Sequence, residues 1–397
     1  MGEAPPTSTH WLNRNIAAIA TTSFFSDLSH ETATAILPVF LASIGAAPSA
    51  LGIIEGVADA ISSFAKMGAG YWSDRLGIRK PIAVIGYLFT ALGQASFGFA
   101  THWTHVLAGR TAGWFGRGIR GPVRDAIASE STEPQHYGKV FGFDRTLDTL
   151  GAILGPSTAL ALVAWTSYRN IFFLTFIPGL LAVLTVGFLV KAKKLPPNPT
   201  LSFRQSLRNL PPDFRFFLVG VGIFGAGDFA HTLLILRASQ MLTPAHGPAT
   251  AAKLAISLYL IHNIIYAAAS YPVGYLADRF GKRRFLAAGY FISGLMCAGF
   301  LFPISHYYYL GILFALAGLF IAIEDALERA IAAELLPAEV RASGYGVLAT
   351  INGVGDFVSS VVVGLLWAHV STGAGFLYSG ILSIIGAFMI ARVRKSN

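Results

Sequence analysis

Apolar stretches of about twenty residues follow one another along most of this chain, separated only by short breaks rich in charge, proline or glycine. A helix of that length matches the hydrocarbon thickness of a bilayer. A soluble core cannot hide so many of them, because 54% of the 397 residues are hydrophobic and only 12% are charged, about half the charged share of an ordinary soluble domain. The pattern predicts an all-α membrane protein with twelve spans. These run over 15–44, 48–72, 81–101, 103–130, 137–165, 168–191, 213–241, 250–274, 285–304, 306–333, 341–369 and 373–392.

A net charge of +9 invites a nucleic-acid reading, and the placement of the basic residues argues against it. Arg14, Arg75, Arg79, Lys80, Lys139, the linker cations from Lys191 to Arg215, the run from Arg279 to Arg284, Arg341, Arg392, Arg394 and Lys395 all fall on one side of the proposed spans. Only Arg169 and Lys253 fall opposite. Such an asymmetry is the positive-inside rule, and it places both termini and the central loop in the cytoplasm of a cell whose inner membrane the chain crosses. The apolar run after Arg14 reads as a retained first span rather than a signal peptide, since Asp27, His30 and Glu31 follow at once without a small-residue cleavage pattern. A lone Cys297 allows no internal disulfide and no multi-cysteine metal site.

The one sizeable linker, 192–212, carries Pro196, Pro197, Pro199, Pro211 and Pro212. It divides the chain into a short cytoplasmic tail (1–14), a first six-span half (15–191), a second half (213–392) and a terminal tail (393–397). The halves repeat. Gly70, Asp74, Arg75 and Gly77 recur as Gly274, Asp278, Arg279 and Gly281; Arg124 to Glu130 recurs as Glu328 to Glu334; Gly142 and Gly151 recur as Gly346 and Gly355. Every one of these steps is 204 residues (274 − 70, 328 − 124, 346 − 142). Asp27 and His30 recur as Asp228 and His231 at a step of 201 (228 − 27). Two copies of six spans run in the same sense, which implies a pseudo-twofold along the membrane normal and a solute site between the halves.

The two loops, Gly70-Asp74-Arg75-Gly77-Arg79-Lys80 and Gly274-Asp278-Arg279-Gly281-Lys282-Arg283, resemble the signature between spans 2 and 3 of the major facilitator superfamily and its weaker copy between spans 8 and 9. The chain is similar to bacterial secondary transporters of that family throughout its length. The resemblance implies two pseudo-symmetric six-helix bundles, with Asp74 and Asp278 pairing with basic groups in one state and releasing them in another. Span 5 is similar to the glycine-proline pattern of the proton-antiporter branch through Gly142, Gly151, Gly155 and Pro156, with Ala159 in place of the final glycine. That likeness implies export in exchange for protons. The arginine that the family carries in span 4 falls to Arg110 or Arg117.

Ionisable groups at bilayer depth are costly, so those within the spans mark candidate functional positions. One set is Asp27, His30 and Glu31 in span 1 with Asp228 and His231 in span 7, residues three or four apart sharing a helix face. It admits proton coupling and solute binding, or a divalent metal or metal chelate held by Asp27, His30, Asp228 and His231, or plain interhelical bonding. A second set is Arg110, Arg117, Arg120, Arg124 and Asp125 in span 4. At the repeat positions in span 10 the signs are exchanged, with Glu324, Glu328 and Arg329. These groups suggest an inward gate, closing directly or through Asp144, Arg145 and Asp148 of span 5 and Asn352 and Asp356 of span 11; salt bridges within each half are the alternative. A third set, Glu55 and Asp59 with Lys66 and with His262 and Asn263, admits an auxiliary proton site or interhelical pairing.

Two motifs fail on inspection. His30-Glu31-Thr-Ala-Thr34 lacks the second histidine of a zinc-protease helix. Gly116-Arg-Gly118-Ile-Arg-Gly121 has the spacing of a dinucleotide loop but no strand before it. No phosphate-binding loop with its lysine occurs, so the proton motive force is the expected driver, with no cofactor. A monomer is expected. A membrane sensor without flux is the reading from another class, and no loop is long enough for an output domain.

Overall fold

The structure is a computed structural model that describes residues 11–46, 48–193, 196–197 and 203–393. Its helices are α1 (Arg14–Ser43), α2 (Pro48–Leu76), α3 (Lys80–Ala95), α4 (Trp103–Glu130), α5 (Tyr137–Val163), α6 (Tyr168–Leu184), the short α7 (Phe203–Arg208), α8 (Pro212–Gly225), α9 (His231–His246), α10 (Pro248–Phe280), α11 (Lys282–Gly299), α12 (Tyr307–Leu335), α13 (Arg341–His369) and α14 (Thr372–Ala391). Spans 1 to 6 are α1 to α6, span 7 is α8 with α9, and spans 8 to 12 are α10 to α14. The result is the twelve-helix, two-half architecture that the repeat implies.

Local chemistry explains where the helices stop. The second glycine of each repeated loop, Gly77 and Gly281, has φ of 66° and 107°, in the left-handed region that other residues avoid. The chain therefore leaves α2 and α10 at matching points. Ser167 and Ser371 accept hydrogen bonds from the backbone N–H of Asn170 and Ala374, capping α6 and α14. Proline opens α8 and α10 in the first turn, where its missing N–H costs nothing.

The described chain forms two compact units, one of Met1–Leu210 with Leu336–Ala349 and the other of Pro211–Leu335 with Thr350–Asn397. In the first unit α2 packs along α4, α3 along α4 and α6, and α1 along α6. In the second the repeat partners do the same: α10 along α12, α11 along α12 and α14, and α8 along α14. The first unit's most extensive contact is α1 against α5. Its apolar core gathers Ile36, Leu37, Phe40, Ile54, Phe97 and Phe172.

Among the described residues, seven helical segments, in spans 3, 5, 6, 8, 10, 11 and 12, are long and apolar enough to cross a membrane by composition alone. Span 4 falls outside that set because its inward face carries Arg110, Arg117, Arg120, Arg124 and Asp125. Large apolar side chains cover the outside instead: Phe64, Leu160, Phe188 and Phe388 are exposed, which suits lipid rather than water.

Span 7 differs from the continuous helix read from the sequence. α8 ends at Gly225 and α9 begins at His231, so Asp228 lies within the break, His231 opens the next helix, and the two do not share a helical face. The freed backbone groups find partners on neighbouring spans. Ser359 donates to the Asp228 carbonyl at 2.6 Å, Tyr378 to the Ala226 carbonyl at 2.8 Å, and Ser360 Oγ accepts from the Ala230 N–H at 3.1 Å. Such satisfaction is what permits irregular backbone at membrane depth.

Candidate transport site

In the first half the buried charges meet where α1, α4 and α5 converge. A Cβ on Gly151 would lie 2.5 Å from the Phe24 carbonyl oxygen, and one on Gly155 would lie 2.6 Å from Glu31 Cβ. Only glycine lets α5 approach α1 this closely. That approach brings the turn of α5 that carries Asp148 against Asp27 of α1, whose Cβ lies 3.3 Å from where a Cβ on Gly151 would sit. Arg117 of α4 reaches Asp27 at 3.2 Å, and Arg145 reaches Asp148 at 2.5 Å. One turn away, Arg124 donates to Ser23 Oγ at 3.0 Å, and Ser23 donates on to Asp144 at 2.7 Å. Arg124 also pairs with Asp125 at 2.9 Å and Asp144 at 3.5 Å.

Further along α4, aromatic rings organise the cations. The Arg110 guanidinium lies 3.7 Å from the Trp114 ring centre and donates to Thr34 at 3.1 Å. Trp114 donates its indole N–H to Asp59 at 2.6 Å and packs 4.6 Å from the His30 ring. Arg120 sits 4.1 Å over the Tyr87 ring, a cation–π contact that partly offsets burial of the charge. His30 accepts at Nδ1 from the Gln94 amide at 3.0 Å, while Nε2 lies 3.6 Å from Glu31.

The first signature loop is locked. Asp74 Oδ2 accepts the Ser343 N–H at 2.7 Å, and Oδ1 lies 3.4 Å from the Ala342 nitrogen. These are first-turn amides of α13, so a carboxylate caps a helix N-terminus and meets its dipole. Gly70 makes room, because a Cβ there would meet the Ala342 carbonyl oxygen at 2.3 Å. Arg79 reaches Asp74 at 3.3 Å, Glu130 at 2.8 Å and the Ala338 carbonyl at 3.1 Å. In the second half Arg283, which repeats Arg79 (283 − 79 = 204), pairs with Glu334 at 3.3 Å, while the neighbouring Lys282 pairs with Asp278 at 2.9 Å and Glu334 at 2.7 Å.

The second half's spans are acidic where the first half's are mixed. Glu328, 2% exposed, accepts from the Tyr290 hydroxyl and, at 2.6 Å, from the Asn352 amide. Tyr290 stacks on Phe224 of α8 at 3.7 Å. Asp325 accepts from the Tyr266 hydroxyl, and Arg329 donates to the Asp325 carbonyl at 2.8 Å. The His231 ring lies 4.7 Å from the His262 ring.

The structure thus brings Asp27, Arg117, Arg145 and Asp148 together, and Arg124 with Asp125 and Asp144. The sign-exchanged groups of spans 4 and 10 take the partners described above within their own halves: Asp144 for Arg124, and Asn352 and Tyr290 for Glu328. Among the described residues, no group of three or more His, Cys, Asp or Glu side chains is placed to hold a metal ion. The side chain of Glu55 lies outside those described. Sequence reasoning missed Gln94, Trp114, Tyr87, Glu130, Tyr290 and the amides of Ala342 and Ser343. Trp114 carried a signal, one turn from Arg110 on the same face, and Glu130 carried another in its repeat as Glu334; the others are distant in sequence and carried none.

Twelve helices in two repeated halves, with charged groups buried at span depth and apolar outer faces, define a multi-span membrane transporter rather than an enzyme. The Major Facilitator Superfamily profile matches residues 19–238 and 217–396, and the chain belongs to that superfamily. It is 32% identical to an uncharacterized MFS-type transporter of Methanocaldococcus jannaschii over 96% of this chain and 94% of that protein. It is 22% identical to multidrug resistance protein 2 of Bacillus subtilis over 88% of each chain. Its fold matches that of the E. coli fucose:proton symporter FucP with a TM-score of 0.77, at 16% identity, over 96% of this chain and 98% of that one.

Proposed function

We propose that the protein is a proton-coupled transporter that exports a small solute across the cytoplasmic membrane by alternating access. It works as a monomer driven by the proton motive force, with both termini and the central linker in the cytoplasm. The observation that supports this reading is the cluster of Asp27, Arg117, Arg145 and Asp148 where α1, α4 and α5 meet. Two carboxyl groups brought close together inside the membrane favour holding one proton over standing as two like charges. Arg117 and Arg145 already hold the two groups, so losing the proton leaves two like charges beside each other and favours moving α1 away from α5. That gives a protonation event something to move.

Export is favoured by the glycine and proline pattern of α5 and by the likeness to a protein named for multidrug resistance. The Asp74 cap on α13 supplies a contact to be broken when access changes sides. The test starts from a thermal-shift screen of drugs, sugars, organic anions and divalent metals against the purified protein. Proteoliposomes carrying an internal pH dye are then exposed to the solute that binds. The wild type is expected to move protons with the solute, whereas D27N and D148N still shift thermally with it but move none. Undiminished proton movement in D27N would remove the reading.

A further inference from the structure

The repeated signature loops use their cations in two different ways. Arg79 and Lys282 are buried and paired with carboxylates. Arg75 and Arg279, one residue after each signature aspartate, have no carboxylate within ion-pair distance among the described residues. They lie against aromatic rings instead. Arg75 donates to the Tyr71 hydroxyl at 2.7 Å, with its guanidinium 5.9 Å from that ring and 5.5 Å from the Trp72 ring. Arg279 donates to the Tyr275 hydroxyl at 3.4 Å and sits 5.9 Å from both the Tyr275 and Phe280 rings. Trp72 is 51% exposed and Phe280 60%.

The same tyrosine-arginine step of four residues therefore recurs at the repeat distance, at the polar ends of α2 and α10. A tyrosine hydroxyl fixes the guanidinium, and an exposed ring stands beside it. Rings of this kind settle at the headgroup level of a bilayer. An arginine held there with its remaining N–H groups outward presents the fork that matches phosphate oxygens. The charge left over on each loop calls for an anion, and the exposed apolar ring beside it calls for acyl chain. One molecule supplies both.

We propose that Tyr71, Trp72 and Arg75 form one binding site for an anionic phospholipid headgroup, and Tyr275, Arg279 and Phe280 form a second. Six spans separate the loops, so both sites open on the same leaflet. The lipid phosphate accepts from the guanidinium while its chains lie along the aromatic face. Each site tethers the end of a span whose next residue inward, Asp74 or Asp278, belongs to the internal ion-pair network.

Native mass spectrometry of the full chain, equilibrated in detergent with either phosphatidylglycerol or phosphatidylcholine, reads this directly. The wild type is expected to retain up to two phosphatidylglycerols in preference to phosphatidylcholine. R75Q and R279Q each retain one fewer, and the double variant retains no more phosphatidylglycerol than phosphatidylcholine. R392Q, which removes an exposed cation elsewhere, keeps both. Melting temperatures in lipid-free detergent confirm that the variants are folded, as expected for a half-buried Arg75 and an exposed Arg279 that pair with no carboxylate among the described residues. Retention at the wild-type level in the double variant, or no preference in the wild type, overturns the proposal. Displacement of phosphatidylglycerol by excess inorganic phosphate also overturns it, since the site would then recognise phosphate without the lipid.

Discussion

Arg79 is 1% exposed and is shared among Asp74, Glu130 and the carbonyl of Ala338. Removing one partner of a buried ion pair leaves an uncompensated charge and costs about 3–5 kcal/mol. Replacing Arg79 by alanine strands two carboxylates, so R79A is expected to lower the melting temperature in detergent sharply. R79K is expected to recover part of the loss, because all three acceptors converge on one guanidinium nitrogen, Nη2, whose place an ammonium can take. D74N in the R79A background regains stability by removing one of the stranded charges; a double variant no more stable than R79A would show that Asp74 is not what Arg79 neutralises. The motif spacing named Asp74 and Arg79 in advance, yet it could not name Glu130 or the amides of Ala342 and Ser343. Periodicity says which residues share a face of one helix. It says nothing of which face of a distant helix arrives opposite, and Asp27 with Asp148 is the same case.

At the level of elements, α1 and α5 are held together by what their glycines leave out. Overpacking a close contact costs about 1–3 kcal/mol, and a Cβ at Gly151 would lie 2.5 Å from the Phe24 carbonyl oxygen and 3.0 Å from the Leu28 nitrogen. G151V is therefore expected to destabilise by about that amount in a detergent melt. G121A is expected to be neutral or stabilising by up to about 1 kcal/mol, because nothing lies within 4 Å of a Cβ there and alanine is the better helix former. Equal melts for the two variants would mean that the approach of α5 to α1 is not set by Gly151. Span limits were legible from length, charge and turn residues: α4 (Trp103–Glu130) and α13 (Arg341–His369) begin and end where the sequence puts them. The break in span 7 was not. Gly225, Gly227 and Asp228 are poor helix formers, yet glycines also sit inside the unbroken spans, and what stabilises the opening is hydrogen bonding with Ser359, Ser360 and Tyr378, more than a hundred residues away.

For the whole molecule, the distribution of cations across the spans argues for one orientation. Lysine and arginine near span ends resist translocation, whereas acidic residues contribute little. The loops after spans 2 and 8 and the linker after span 6 carry most of the loop cations. On the other side Arg169 is tied down, donating to the Gly98 carbonyl at 3.0 Å and lying 5.4 Å from the Phe40 ring. It acts there as a structural clasp between spans 3 and 6. On the orientation proposed from the loops, the Asp74 cap and Arg75 and Arg279 are expected to lie at the cytoplasmic ends of their spans. A green fluorescent protein fused after Asn397 is expected to fluoresce in a bacterial host, and alkaline phosphatase fused there is expected to be inactive. Alkaline phosphatase fused after Thr101, following span 3, is expected to be active, since an odd number of spans carries it across. Exchanging Arg75, Arg79 and Lys80 for glutamine weakens the bias of the first half and produces a mixed population, seen as phosphatase activity falling at Thr101. The inverse pattern in the unaltered chain, with a dark fluorescent fusion and active phosphatase at Asn397, would reverse the assignment and with it the direction in which a proton bound at Asp27 and Asp148 is released.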